Sequence, residues 1–131
     1  MAGLTKQQIN GLARKLDARH RQLRQEIQTT LERSGEQNYM ELAGRVRDEG
    51  DDSVARLFAD MNATMVDRDV QEIRDIEAAH KRIANGSYGV CENCGNEIAV
   101  ERLEAYPTAT RCIICQQQYE KTHASDNTPS L

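Results

Sequence analysis

The chain has 131 residues, 38% of them hydrophobic and 29% charged, with one Phe, four Tyr and no Trp. This length fits one domain, or a small module joined to an extended element, and so few aromatics suit exposed helices better than a compact core. No apolar run approaches the roughly 18 residues that cross a bilayer, and Met1 to Asn10 lack the continuous apolar stretch of a signal peptide, so no membrane contact and a cytoplasmic location are expected. The net charge of −4 is unevenly spread: residues 1–33 carry seven Lys/Arg and three Asp/Glu, residues 34–79 five and twelve, and residues 80–131 five and six. An acidic middle argues against wrapping a nucleic-acid backbone, which needs a basic face. It points to a basic protein surface, a cation or plain solvation.

Thr5-Lys6-Gln7-Gln8 fits a capping box and opens the first helix. Ile9, Leu12, Leu16, Leu23, Ile27 and Leu31 then trace one apolar stripe, with Arg19 and His20 in the missing step. Ser34-Gly35 is expected to end this helix. A short amphipathic piece follows, with Tyr39, Leu42, Ala43 and Val46 on one side. Residues 47–53 combine a turn signal with an acidic cluster, in which Asp52 or Ser53 can cap the next helix. That helix is expected from about Val54 to Ala84, with Val54, Leu57, Phe58, Met61 and Met65, then Val70, Ile73, Ile76 and Ile83, along its stripe. Its register shifts near Val66 to Asp69, and Asn85-Gly86 ends it.

Two helices with one apolar stripe each can cover those stripes by antiparallel pairing. A self-satisfied seam of this kind favours a monomer. The pattern therefore predicts a mainly α fold: a long antiparallel helical hairpin, with a tip region near 34–53, over residues 1–85. Residues 86–121 would form a small module with a C-terminal helix starting near Cys115, and residues 122–131 a disordered tail.

The four cysteines define the module. Cys91-Glu92-Asn93-Cys94 and Cys112-Ile113-Ile114-Cys115 stand seventeen residues apart. Paired C-x-x-C knuckles at such a separation point to tetrahedral Zn²⁺. Two disulfides would need an oxidising compartment, and a dithiol redox motif needs only one knuckle. Redox sensing through zinc release stays open. Four thiolates fill every position on the ion, so such a site builds structure and performs no reaction. The chain also lacks a nucleophile–base pair and a phosphate-cradling glycine loop, which excludes the commoner enzyme classes.

The run Tyr88-Gly89-Val90-Cys91-Glu92-Asn93-Cys94-Gly95-Asn96-Glu97-Ile98, the segment Arg102-Leu103-Glu104-Ala105-Tyr106-Pro107-Thr108-Ala109 and the second knuckle, after a long helix, resemble the DksA/TraR family of bacterial transcription regulators. The likeness covers roughly residues 50–120 well and residues 5–49 by pattern. It implies binding to RNA polymerase, with the zinc module at the rim of the secondary channel and the coiled coil reaching inward to alter open-complex stability. No direct sequence-specific DNA binding is implied. The family's tip motif, D-x-x-D-x-A, falls on Asp48-Glu49-Gly50-Asp51-Asp52-Ser53, with Ser53 at the alanine position. Asp48, Asp51, Asp52 and Ser53 are thus the candidate polymerase-modulating tip, able to perturb a catalytic Mg²⁺. The plainer reading of the cluster is a solvated turn with a helix cap. Basic positions that help bind ppGpp in responsive members correspond to Asp75, Tyr106 and Gln116, so little dependence on that polyanion is expected.

Other residues have plainer roles. Arg14, Lys15, Arg19, Arg21 and Arg24 could touch nucleic acid, but no interleaved aromatics support stacking, and they better suit a solvated helix face, some of them paired with acids on the partner helix. His20, His80 and His123 share no ligand spacing and are expected to be exposed. Arg102 and Arg111 either orient the finger or dock polymerase. Two rival functions remain: a transcript-cleavage factor, whose tip acids would supply a Mg²⁺ ligand, and a zinc-ribbon adaptor for another protein or for DNA.

Overall fold

The computed structural model describes residues 3–49, 54–58 and 64–127. Its helices are α1 (Lys6–Arg33), α2 (Gln37–Glu49), α3 (Asp67–Asn85), α4 (Val100–Ala105) and α5 (Ile113–Asn127), with 3-10 turns at Ala55–Phe58 and Thr64–Val66. The fold is mainly α. An antiparallel hairpin of α1 and α3 joins a four-cysteine module that ends in α5. Among the described residues none forms a strand, and none of the helices is long and apolar enough to cross a membrane.

The capping box at the start of α1 is complete. The Gln8 backbone N–H donates to Thr5 Oγ1 at 3.1 Å, and the Thr5 N–H donates to Gln8 Oε1 at 2.9 Å. Leu12, Leu16, Leu23, Ile27 and Leu31 are buried, and His20 fills the step between Leu16 and Leu23 at 6% exposure. The expectation of an exposed His20 is therefore corrected. Its ring nitrogen Nε2 lies 3.1 Å from Glu77 Oε2 on α3, which supplies the partner that a buried imidazole requires. His80 is half-buried as well, 3.0 Å from Asp17 Oδ1. His123 is half-buried against Tyr119, the two rings stacked with centroids 3.9 Å apart.

α1 ends at Arg33, where Ser34 Oγ donates to the Leu31 carbonyl at 2.6 Å and Gly35 takes a φ of +73°. The chain turns there, and α2 packs back on α1 with Leu42, Ala43 and Val46 buried. α3 packs along another part of the α1 surface, through Val70, Ile73, Ile76 and Ala79. Gly86, with φ +82°, ends α3, and the Ser87 N–H donates to the Arg82 carbonyl at 2.9 Å.

The expected continuous helix from Val54 to Ala84 is not formed. α3 begins at Asp67, and what precedes it among the described residues is the two 3-10 turns. The cause is the burial of Val54 and Phe58. The Val54 N–H donates to Glu77 Oε2 at 3.0 Å, the same oxygen that faces His20. Val54 thus sits beside the middle of α1 and α3, and Asp67 and Asp69 supply the acidic first turn that suits the start of α3.

Four residues separate Glu49 from Val54, so the two lie at most about 18 Å apart. The chain reverses at the α1–α2 turn, residues 34–36, and Asp48 lies at the C-terminal end of α2. Asp51, Asp52 and Ser53 lie outside the described residues.

One ion pair spans the seam with two-point geometry: Arg19 Nε and Nη2 donate to the Glu72 oxygens at 2.6 and 2.8 Å. It matches the expected pairing of α1 bases with acids on the partner helix. Both side chains are about two-fifths exposed, at 39% and 40%, so the pair contributes no more than about 1 kcal/mol.

Two outcomes follow for stability. Leu23→Ala, at a fully buried seam position, should cost about 2–5 kcal/mol, read from the urea midpoint at unchanged slope. The hydrogen bond from Arg19 holds the Glu72 carboxyl below its usual range and raises the Arg19 guanidinium. Because the folded-state value of Glu72 is depressed, the pair's contribution is present above the ordinary glutamate range and lost as pH falls through the folded-state value. Glu72→Gln should therefore lower stability slightly at pH 7, and the difference from wild type should vanish in acid titration of the melting temperature.

Candidate metal centre

The module is built by tight turns around its first knuckle. Gly89 and Gly95, with φ of +86° and +75°, flank Cys91 and Cys94. Between them the Cys91 N–H donates to the Asn96 carbonyl at 2.8 Å and the Gly95 N–H to the Cys91 carbonyl at 3.0 Å. An isolated antiparallel bridge pairs Val90 with Glu97. The second knuckle opens α5: the Gln116 N–H donates to the Cys112 carbonyl at 2.9 Å. The two halves meet where the Glu92 N–H donates to the Thr110 carbonyl at 2.9 Å. α5 begins earlier than Cys115 because the knuckle itself is its first turn. It runs on to Asn127, into the stretch expected to be a tail.

The ligand atoms of Cys91, Cys94, Cys112 and Cys115 all lie within 4.8 Å of one another. The Cys94 and Cys112 sulfurs are 3.8 Å apart. Thiolates at the usual zinc–sulfur length of about 2.3 Å occupy tetrahedral corners roughly 3.8 Å apart, so this spacing is the one Zn²⁺ needs. Electrostatics makes the same demand. Burial opposes ionisation of Cys91, but the backbone N–H groups of Cys94, Cys112 and Asn93 outweigh it and hold the thiol at about 6. Cys115 is pushed up to about 12, first by its hydrogen bond with Cys112 and then by burial. Four negative sulfurs cannot share this volume without a cation among them.

The remaining module residues fix the finger. Arg102 Nε donates to the Arg111 carbonyl at 3.0 Å. The Arg111 guanidinium lies over the Tyr119 ring at 3.9 Å and 3.6 Å from Glu92 Oε2. Both arginines therefore orient the finger and hold α5 against it. Burial pushes the Tyr88 hydroxyl up, which keeps it a donor, and it reaches the Pro107 carbonyl at 2.7 Å. Leu103 is completely buried beneath.

The module also grips the start of α1. A Cβ at Gly89 would lie 2.8 Å from Leu4 Cδ1, the movable end of a side chain, so it is chiefly the φ of +86° that favours glycine here. Lys15 Nζ donates to the Glu104 carbonyl at 3.3 Å. The Leu4–Gly89 approach was not foreseen; a glycine two residues before a knuckle was the available signal.

A closed four-thiolate site at the base of a helical hairpin defines a zinc-finger protein whose metal is structural. Residues 86–121 match the family described as the prokaryotic dksA/traR C4-type zinc finger. The RNA polymerase-binding transcription factor DksA of Escherichia coli is 32% identical over 111 residues, spanning 83% of this chain and 69% of that protein. The protein of the same name from Salmonella typhimurium matches to the same extent. YteA, an uncharacterized protein of Bacillus subtilis, is 60% identical over 40 residues, 30% of this chain and 17% of that one. In fold, the chain is similar to the transcription factor DksA2 from Pseudomonas aeruginosa, with a TM-score of 0.62 and 22% identity over 92% of this chain and 89% of that one. The chain belongs to the DksA/TraR family, and Zn²⁺ is its cofactor.

Removing the metal should unfold the module selectively. Purified protein should carry one zinc per chain, and Cys94→Ser should lose it to a chelator that the wild type withstands. Hydrogen exchange should then show protection lost at Cys91, Glu92 and Ile98, whose N–H groups bond within the module, while Leu23 and Ile73 stay protected.

Proposed function

We propose that this protein binds RNA polymerase through the secondary channel and modulates initiation by changing the stability of open complexes. The observation that carries this reading is the likeness, over most of the chain, to relatives named as RNA polymerase-binding transcription factors, joined to a closed zinc site that leaves no position for catalysis. Recognition is by protein surface, without sequence-specific contact to DNA, by a monomer in the cytoplasm.

Asp48, Asp51, Asp52 and Ser53 form the modulating segment. Asp48 is exposed at the C-terminal end of α2, its Oδ1 3.9 Å from Arg47 Nε. Carboxylates brought near the polymerase's catalytic Mg²⁺ would compete for its coordination or shift its field.

The response is largely independent of ppGpp. Asp75 is exposed on α3 and accepts from Gln71 Nε2 at 3.1 Å. Gln116 donates to Glu120 Oε2 at 2.9 Å, and Tyr106 is 63% exposed. None of the three offers a cation to a polyanionic nucleotide.

The test is the lifetime of open complexes at a ribosomal promoter with purified polymerase. Zinc-loaded wild type should shorten it several-fold, with or without ppGpp, and the Asp48→Asn/Asp51→Asn variant should not. Equal action by both would remove the role of the acids and leave the channel reading standing. Failure of either protein to act or to compete for polymerase would overturn the reading.

A further inference from the structure

Asparagine followed by glycine occurs twice in this chain, at Asn10-Gly11 and Asn85-Gly86. Glycine leaves the next backbone nitrogen unhindered, so such a pair can close a succinimide ring on the asparagine side chain. The two pairs sit in different settings. Asn10-Gly11 lies inside α1, where the helical ladder holds the Gly11 N–H and fixes the backbone on both sides. Asn85 is the last residue of α3, and Gly86, with φ +82°, is its cap. Asn85, Gly86 and Ser87 are all exposed, and no atom lies within 4 Å of a Cβ placed at Gly86.

The Asn85 amide is also met by two donors. The Ser87 hydroxyl donates to Asn85 Oδ1 at 2.6 Å and the Ser87 N–H at 3.0 Å. That N–H is shared with the Arg82 carbonyl, at 2.9 Å, so the hydroxyl is the donor committed to the amide. Donors on an amide oxygen stabilise the negative charge that gathers there when a nucleophile adds to the carbonyl carbon. The nucleophile is close at hand in the chain. The Gly86 N–H faces the Arg82 and Ile83 carbonyls, and its bond to the latter is long, at 3.4 Å.

We propose that Asn85 is a site of spontaneous deamidation in the folded protein. The Gly86 N–H gives its proton to hydroxide, and the nitrogen bonds to Asn85 Cγ. The Cγ–Nδ2 bond breaks, and Nδ2 takes a proton from water and leaves as ammonia. Water then opens the succinimide. Attack at Cγ restores the ordinary backbone and leaves aspartate; attack at the backbone carbonyl carbon leaves the chain running through Cγ, as isoaspartate. Ring closure requires Asn85 to leave its helical conformation. A terminal residue does so by fraying, whereas Asn10 can do so only if α1 opens. Either product puts a carboxylate at the carbonyl end of α3, where negative charge is unfavourable. Isoaspartate also lengthens the backbone by a methylene directly before Ser87 and Tyr88, whose N–H groups both bond the Arg82 carbonyl. The link between hairpin and finger is thereby altered with no enzyme acting. The modification is a property of the free protein and does not require the polymerase reading.

The test is incubation of the full, zinc-loaded chain at neutral pH, followed by tryptic peptide mapping with mass spectrometry. The peptides of residues 7–14 and 83–102 report the two sites separately, and fragmentation assigns the residue and tells isoaspartate from aspartate. In the folded chain Asn85 should convert about tenfold faster than Asn10, whereas in urea the two should convert at similar rates. Ser87→Ala, an exposed substitution, should slow conversion at Asn85 several-fold and leave Asn10 unchanged. Conversion at Asn85 no faster than at Asn10 in the folded chain would overturn the site. Equal rates in wild type and Ser87→Ala would overturn the part assigned to the hydroxyl. The open-complex assay is run on fresh protein, so either idea can fail alone.

Discussion

Everything in the hairpin depends on covering one stripe of α1. From Leu12 to Leu31 its buried residues recur every three or four positions, and both α2 and α3 pack against α1. α3 takes the part nearer the zinc module and α2 the part nearer the turn. His20 is the one polar residue among the buried set, and it is tolerated because Glu77 meets it. Replacing Glu77 with an apolar residue would strand both an imidazole and the Val54 amide inside the seam, each costing about 1–3 kcal/mol.

The zinc module solves a different problem with different means. It has few apolar residues to bury, so Leu103 and Tyr88 supply a minimal core and the metal supplies the rest. Arginine serves here as a strut. Arg102 binds a backbone carbonyl across the module, and Arg111 is held between Tyr119 and Glu92. These contacts also explain why α5 continues as a helix well beyond the second knuckle.

Local rules were legible in the sequence where a residue's role is local. The Thr5–Gln8 cap, the stops at Gly35 and Gly86 and the convergence of the four cysteines all follow from spacing and backbone preference. The α2 stripe of Leu42, Ala43 and Val46 was equally plain. The course of residues 54–66 was not, because Val54, Leu57 and Phe58 keep helical spacing whether or not they form an α-helix. Their path follows the burial of Val54 and Phe58 and the bond from the Val54 N–H to Glu77, a residue distant in sequence that periodicity cannot reveal. His20 was misjudged for the same reason: its burial is licensed by a partner on another helix.

The approach of Leu4 to Gly89 has a mechanical consequence. Together with the Lys15–Glu104 contact it joins the first half of α1 to the finger at two points, in the manner of a lever on its mount. α1 spans 28 residues, about 42 Å. A tilt of about 5° at the mount would carry the opposite end through roughly 4 Å. Side chains near Gly89 and Glu104 therefore set the aim of the arm, and a small substitution at its root would be felt most where it makes no contact at all.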